Sequence, residues 1–186
     1  VKIPVGVSNR HCHLTEETHI KLFGTNHIEK VKDLSQPGEF ASTSKVTIKN
    51  GNREIANVRV LGPFRNYNQV EISKTDAYKL RVEPPVRKSG DIIGSEVITL
   101  IGPCGEIVLE DGCIIANRHV HFQVEEAKRY NIKEDQIIMV KINGEKKGSI
   151  EAFAKILEQS YLELHIDIDD ANAFLLTNGD EVEIVI

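Results

Sequence analysis

The pentapeptide Asn9–His13 (NRHCH) returns as Asn117–His121 (NRHVH), and this repeat constrains the chain more than any other feature. Each copy follows a short apolar run, VGVS before the first and CIIA before the second, and each leads into a helix-forming segment. On an extended strand residues i and i+2 share a face, so His11 with His13, and His119 with His121, can each aim two imidazoles at one point. Zinc or a similar divalent metal is presented with nitrogen ligands in this way. The competing reading is a set of satisfied surface or core histidines. Two copies in matched contexts, in a chain with seven histidines, favour metal. Cys12, between two candidate ligands, points to the opposite face of such a strand and reads as packing.

The remaining bounds are broad. A chain of 186 residues suffices for one large or two small domains with real cores. A formal net charge of −5 argues against a general nucleic-acid binder, which needs a basic face, while leaving room for an anionic small molecule held by a few local arginines. No apolar run reaches the roughly 18 residues of a membrane span. No signal peptide precedes the first strand, and the start at Val1 rather than Met is consistent with trimming. The expected location is cytoplasmic. Cys12, Cys104 and Cys113 are odd in number and lack metal- or redox-motif spacing, which points to a reducing compartment and no disulfide framework.

Along the chain, short strands and tight turns dominate. Lys2–Ser8 reads as a strand; Thr15 caps a short helix, EETHIKLF, that Gly24 stops. His19 inside that helix and His27 beyond it have no partner at ligand spacing and are taken as surface residues. Thr25–Ser44 reads as irregular. KVTIK, the turn Asn50-Gly51-Asn52 and REIANVRVLG form a hairpin, and QVEIS alternates like a strand. Ser73 begins a helix with Asp76 as its capping-box partner. VITLIG and EIVLEDG make a second hairpin that runs into CIIANRHVH, then the helix VEEAKRY. Asp167 or Asp169 caps DANAFLL after the strand YLELHID, and EVEIVI closes the chain. The pattern is mainly β, in barrels or a sandwich, with no βαβ rhythm to suggest parallel strands.

One unit recurs: a strand, a ligand-type side chain near its end, then a short capped helix. It occurs at His11/His13, at Glu71, at His119/His121 and at His165. Taken singly, Glu71 is an exposed strand carboxylate and His165 a polar residue on a half-buried strand. Together these positions offer more donors than the three or four protein ligands one zinc takes, and suit two metals with open positions. A second signal is Gly62–Arg65 (GPFR), which sets Arg65 six residues before Glu71. A guanidinium there suits bidentate binding of phosphate or carboxylate; the alternative is a solvated arginine in a turn. Arg87 and Lys88 form a weaker basic cluster able to meet a phosphorylated ligand. Arg10 and Arg118 point away from the histidines on a regular strand and receive no role in the chemistry.

The stretches IPVGVSNRHCHL, LSQPGEF, RVLGPFRNYNQVEIS, PPVRKSGDI, ANRHVHF and LELHIDIDDANA, in this order, resemble the PduL-type phosphotransacylases, the phosphate propanoyltransferases and their acetyl-transferring relatives. The resemblance implies two small β-barrels flanked by short α-helices with a dinuclear zinc site between them. Residues 1–8 with 117–186 would form one barrel, and residues 9–116 the other. Carried over, the metal ligands are His11, His13, Glu71, His119, His121 and His165, and Arg65 is the phosphate-binding catalytic arginine. The cofactors implied are two Zn²⁺ ions, with coenzyme A as substrate; Arg87 and Lys88, from the basic cluster noted above, remain the candidate cofactor-binding residues. The implied reaction moves a short acyl group, propanoyl or acetyl, reversibly between coenzyme A and phosphate. Acyl-CoA and phosphate are then the partners, with no nucleic acid and no membrane; a homo-oligomer is compatible with the sequence. Relatives inside bacterial microcompartments carry an N-terminal extension, so that location would require one trimmed before Val1. No Ser-His-Asp or reactive-cysteine constellation is visible, which favours direct attack of phosphate over an acyl-enzyme. On the ligand set alone, a dinuclear zinc hydrolase or a non-catalytic zinc-containing double-barrel module serves equally well.

Overall fold

A computed structural model describes all residues from Val1 to Ile186. The first half of the chain runs β1 (Lys2–Ser8), β2 (His11–His13), α1 (Glu16–Phe23), β3 (Lys30–Asp33), β4 (Phe40–Asn50), β5 (Arg53–Gly62), β6 (Gln69–Glu71), α2 (Lys74–Leu80) and β7 (Val86–Arg87). It continues with β8 (Glu96–Gly102), β9 (Gly105–Ala116), β10 (His119–Gln123), α3 (Val124–Arg129), β11 (Ile137–Ile142), β12 (Gly148–Leu157), β13 (Glu163–Asp167), α4 (Ile168–Phe174) and β14 (Glu181–Val185). The fold is mainly β, as the turn-punctuated sequence predicts.

Two compact units divide these elements. One comprises Val1–Asn9, Ser35–Pro37 and Asn117–Ile186; the other comprises Arg10–Leu34 and Gly38–Ala116. The first is a closed barrel in the order β1-β13-β10-β12-β11-β14. Its interior follows from alternation: Ile138, Val140 and Ile142 of β11 are buried while Ile137, Met139 and Lys141 face out. Val120 and Phe122 of β10 and Leu164 and Ile166 of β13 meet them inside. A fully buried side chain of this kind contributes about 1.5–3 kcal/mol by leaving water.

The second unit also closes. β4 pairs with β5, β5 with β2, β2 with β6, β6 with β9, β9 with β8, and β8 returns to β4. Strand β3 extends the ring beside β4, and β7 beside β9. Cys12, Val46, Val58, Val60, Val70 and Leu100 fill it. Gly62 ends β5 where a Cβ would run into the Phe40 ring, so the close approach of those strands requires glycine.

Three local expectations change. Parallel pairs are present after all: β1 with β13, β10 with β12, β2 with β5, β6 with β9, and β7 with β9. Val5 lies beside Leu164, for example, so the pairing joins strands remote in sequence and leaves no local βαβ rhythm to read. Thr25–Ser44 is not wholly irregular: it holds β3 and the start of β4. His19 is not a surface residue but fully buried, its Nδ1 2.7 Å from the Thr25 carbonyl and its Nε2 2.9 Å from Ser44 Oγ. Phe23 of the same helix stacks on it at 4.6 Å, and the Ser44 contact docks α1 through the His19 ring as well as through Leu22. His27 is exposed, as expected.

Candidate metal and anion site

Strand pairing builds the first triad. β2 lies between β5, parallel to it, and β6, antiparallel, with His11 opposite Glu71 and His13 opposite Gln69. His11 Nε2 comes within 3.0 Å of Glu71 Oε2, and the His11 and His13 rings meet edge to face at 5.0 Å. One ligand atom from each of His11, His13 and Glu71 lies within 4.8 Å of the others. Cys12, between them, turns into the barrel core, where burial pushes its thiol up to about 12. It packs, as alternation requires.

The second triad repeats that register in the other unit. β10 lies between β12, parallel, and β13, antiparallel, with His119 opposite His165 and His121 opposite Glu163. His119 Nε2 and His121 Nε2 are 3.0 Å apart. The three rings stand 4.4–5.1 Å from one another, centre to centre. His119 Nδ1 is 2.9 Å from the Asn117 carbonyl, which can only accept, so Nδ1 holds the proton and Nε2 carries the lone pair. Burial first, then the neighbouring His165, His119 and Lys155, hold His121 neutral, with its pKa lowered to about 2. His121 Nδ1 is buried without a hydrogen-bond partner.

These donor sets suit a divalent metal. Both offer nitrogen, or nitrogen with a carboxylate oxygen, the ligands zinc prefers. The 3.0 Å approaches in each triad are close to the edge of a zinc tetrahedron, about 3.3 Å for bonds of about 2.05 Å. A neutral imidazole, as at His121, is what coordination needs. His11, His13 and Glu71 can hold one ion, and His119, His121 and His165 another.

Side chains around the first triad extend it toward Arg65. Gln69 Nε2 donates to Glu71 Oε1 at 2.8 Å and to Ser89 Oγ at 3.0 Å, while Gln69 Oε1 accepts from the Gly90 amide. Arg65 Nη1 donates to the same Ser89 Oγ at 3.0 Å and to the Tyr67 hydroxyl. Its Nη2 pairs with Glu39 Oε1 at 2.9 Å, and its backbone amide donates to Leu14. A continuous set of contacts thus joins Arg65 through Ser89 and Gln69 to Glu71 and His11. The guanidinium is held through Nη1 by Ser89 and Tyr67 and through Nη2 by Glu39, so an oxyanion arriving at Nη2 shares or displaces the Glu39 contact. Ser89 accepts twice and retains a proton to donate.

The basic pair expected to meet a phosphorylated ligand is arranged differently. Arg87 turns onto its own loop, with Nη1 2.9 Å from the Ile93 carbonyl and 3.3 Å from Asp91 Oδ1, and Lys88 is exposed. The residue of that stretch which joins the contacts around Arg65 is Ser89. No local signal marks it, because its position comes from β7 pairing with β9 on the far side of β6.

Arg10 and Arg118, which the sequence leaves without a role, form matched latches. Arg10 grips Asp76 through Nε and Nη2 at 3.1 and 2.9 Å, and Arg118 grips Asp170 at 2.9 and 2.8 Å. Asp76 sits in the first turn of α2, directly after Glu71, and Asp170 in the first turn of α4, after His165. In each unit the arginine beside the His-x-His strand therefore ties down the helix that follows the third candidate ligand. Ser73 and Asp167 cap these helices, accepting from the Asp76 and Asp170 amides. The carboxylate of Asp76 serves Arg10, a use the capping-box pattern does not reveal. Side-chain hydrogen bonding by the aspartate raises the pKa of each arginine, which keeps both guanidiniums charged.

Comparison with known proteins covers the same span. A family model described as phosphate propanoyltransferase matches residues 4–177. Phosphate propanoyltransferase of Thermotoga maritima is 46% identical over 98% of this chain and 89% of its own length. The Priestia megaterium protein of that name is 46% identical over 96% of this chain and 83% of its own, and the Rhodobacter capsulatus one 40% over 98% and 86%. The family match takes in both histidine repeats, the Gly62–Arg65 turn and strands β2 to β13, and the chain belongs to the phosphate propanoyltransferase family.

Proposed function

We propose that this chain is a phosphate acyltransferase that moves a short acyl group, propanoyl or acetyl, reversibly between coenzyme A and inorganic phosphate. The observation that carries the reading is the run of contacts from Arg65 through Ser89 and Gln69 to Glu71 and His11. These contacts set the Arg65 guanidinium near a triad of metal-type ligands, a combination suited to phosphate attack on a thioester. His11, His13 and Glu71 would hold one zinc or similar ion, and His119, His121 and His165 a second. When bound, such ions supply charge stabilisation for phosphate, for the developing oxyanion and for the departing thiolate.

The work of the chain's own residues follows from their placement. Arg65 receives phosphate on its guanidinium, Nη2 exchanging Glu39 for a phosphate oxygen, offsets its charge and aims one oxygen at the thioester carbonyl. Ser89, already accepting from Arg65 and Gln69, donates its proton to a phosphate oxygen. Tyr67 and Ser89 hold the guanidinium through Nη1 and keep it in place as phosphate binds. The new bond joins a hydrogen phosphate oxygen to the acyl carbon; the carbon–sulfur bond breaks, and the departing thiolate takes up the proton that hydrogen phosphate releases. Arg87 and Lys88 would meet the phosphates of coenzyme A, which for Arg87 requires exchanging its contact with Asp91.

The test is coenzyme A-dependent formation of propanoyl or acetyl phosphate, with metal content measured on the same sample. Acyl phosphate turnover without coenzyme A would make the protein a dinuclear hydrolase. Metal without turnover would make it a binding module. Exchange of labelled phosphate into acyl phosphate without coenzyme A would replace direct attack by an acyl-enzyme.

A further inference from the structure

The two triads occupy the same register yet differ in one exchange. Opposite His13 stands Gln69, and opposite His121 stands Glu163. Two residues further along, the third ligand is Glu71 in the first triad and His165 in the second. Each pair therefore contains one carboxylate, on the candidate ligand in one unit and beside it in the other.

Glu163 is buried, and its setting is built. Its Oε1 lies 3.1 Å from His165 Nε2, in contact though not aligned as a hydrogen bond. Ser35 Oγ donates to the same oxygen at 3.0 Å. Ser35 is fixed in turn by its neighbour Gln36, whose amide exchanges two hydrogen bonds with the Tyr161 backbone at 3.1 and 3.2 Å. From the other side, Gly6 pairs with His165, and a Cβ there would collide with Glu163 Oε1 and press on His165 Cδ2 at 3.2 Å. A carboxylate is thus lodged in a space that glycine leaves, with a hydroxyl holding it against the imidazole edge.

We infer that Glu163 is a positioning residue for the second triad: acting through His165, it fixes that ring and supplies the negative charge that Glu71 supplies directly in the first. Three neutral imidazoles alone leave the full charge of a divalent ion uncompensated in a buried place. A carboxylate held against one of them lowers that cost and restricts the ring's rotation. Glutamine serves at position 69 because Glu71 already brings the charge, and the Gln69 amide donates to it.

The inference rests on the metal reading above, and zinc binding by the full chain separates the two. Wild type is expected to hold two zinc ions per chain. Glu163→Gln, which copies the Gln69 arrangement, should weaken one of them by about 10–100-fold in chelator competition and leave the other unchanged. Ser35→Ala should weaken the same ion by a smaller factor, while thermal unfolding of the metal-free chain stays as in wild type. With cobalt in place of zinc, only one of two visible-band contributions should change. Two ions held with wild-type affinity by Glu163→Gln would overturn the inference and spare the metal reading. Equal weakening of both ions together with earlier unfolding would show a general structural role and overturn it as well. A wild-type chain that binds no metal would overturn both.

Discussion

The triad of His11, His13 and Glu71 and that of His119, His121 and His165 share a frame and differ in their surroundings. Each arises from a His-x-His strand held between one parallel and one antiparallel neighbour, with the third residue delivered by the antiparallel one. Each is backed by an arginine–aspartate latch onto the helix that follows. Only the first is joined through hydrogen bonds to Arg65, and only the second has a buried glutamate behind a histidine. The shared parts make a ligand cluster; the unshared parts assign it work. On this reading the first triad handles phosphate, while the second, lined by three imidazoles, is tuned through Glu163.

The comparison breaks most sharply at the ligands. His13→Ala and His121→Ala should each remove one metal equivalent and abolish acyl phosphate formation, with metal analysis of the purified variants as the check. Loss of both ions from either variant would mean that the triads do not act as separate sites. Next in size, Arg65→Ala should lower turnover by about 10²–10³-fold, the loss seen when one charge-stabilising donor is removed, while metal content stays at the wild-type level. An equal effect on metal binding would make Arg65 part of the ligand frame instead.

The latches should matter less, and unequally. Asp76 is nearly inaccessible, with a side chain 5% exposed, whereas that of Asp170 is 21% exposed. Arg10→Ala therefore leaves a buried carboxylate short of its partner and should cost about 1–3 kcal/mol in denaturant unfolding. Arg118→Ala should cost less, because water can reach Asp170 and screens the pair. The smallest effect is expected at the one position where the repeats differ inside the motif. Cys12 and Val120 hold equivalent core places, so Cys12→Val should keep both ions and shift stability by less than about 1.5 kcal/mol.

The sequence made the metal-type residues legible because their signal is local. Strand alternation puts His11 with His13 and His119 with His121 on one face whatever the strands pair with, and helix caps such as Thr15 and Ser73 act within a few residues. The mainly β character and the family resemblance were equally readable, since turn chemistry and motif order lie along the chain. What only the tertiary structure decided are the relations between remote segments. Arg10 reaches Asp76 across 66 residues, and Ser35 reaches Glu163 across 128. Parallel pairing sets Gly6 beside His165, and Ser89 enters the contacts of Arg65 through a short strand beside β9. Backbone pairing free energy depends little on which remote segment supplies the partner strand; the register that buries both apolar faces selects it. For that reason the sequence shows which residues can bind, and the closed barrels decide which of them meet and which neighbour tunes each one.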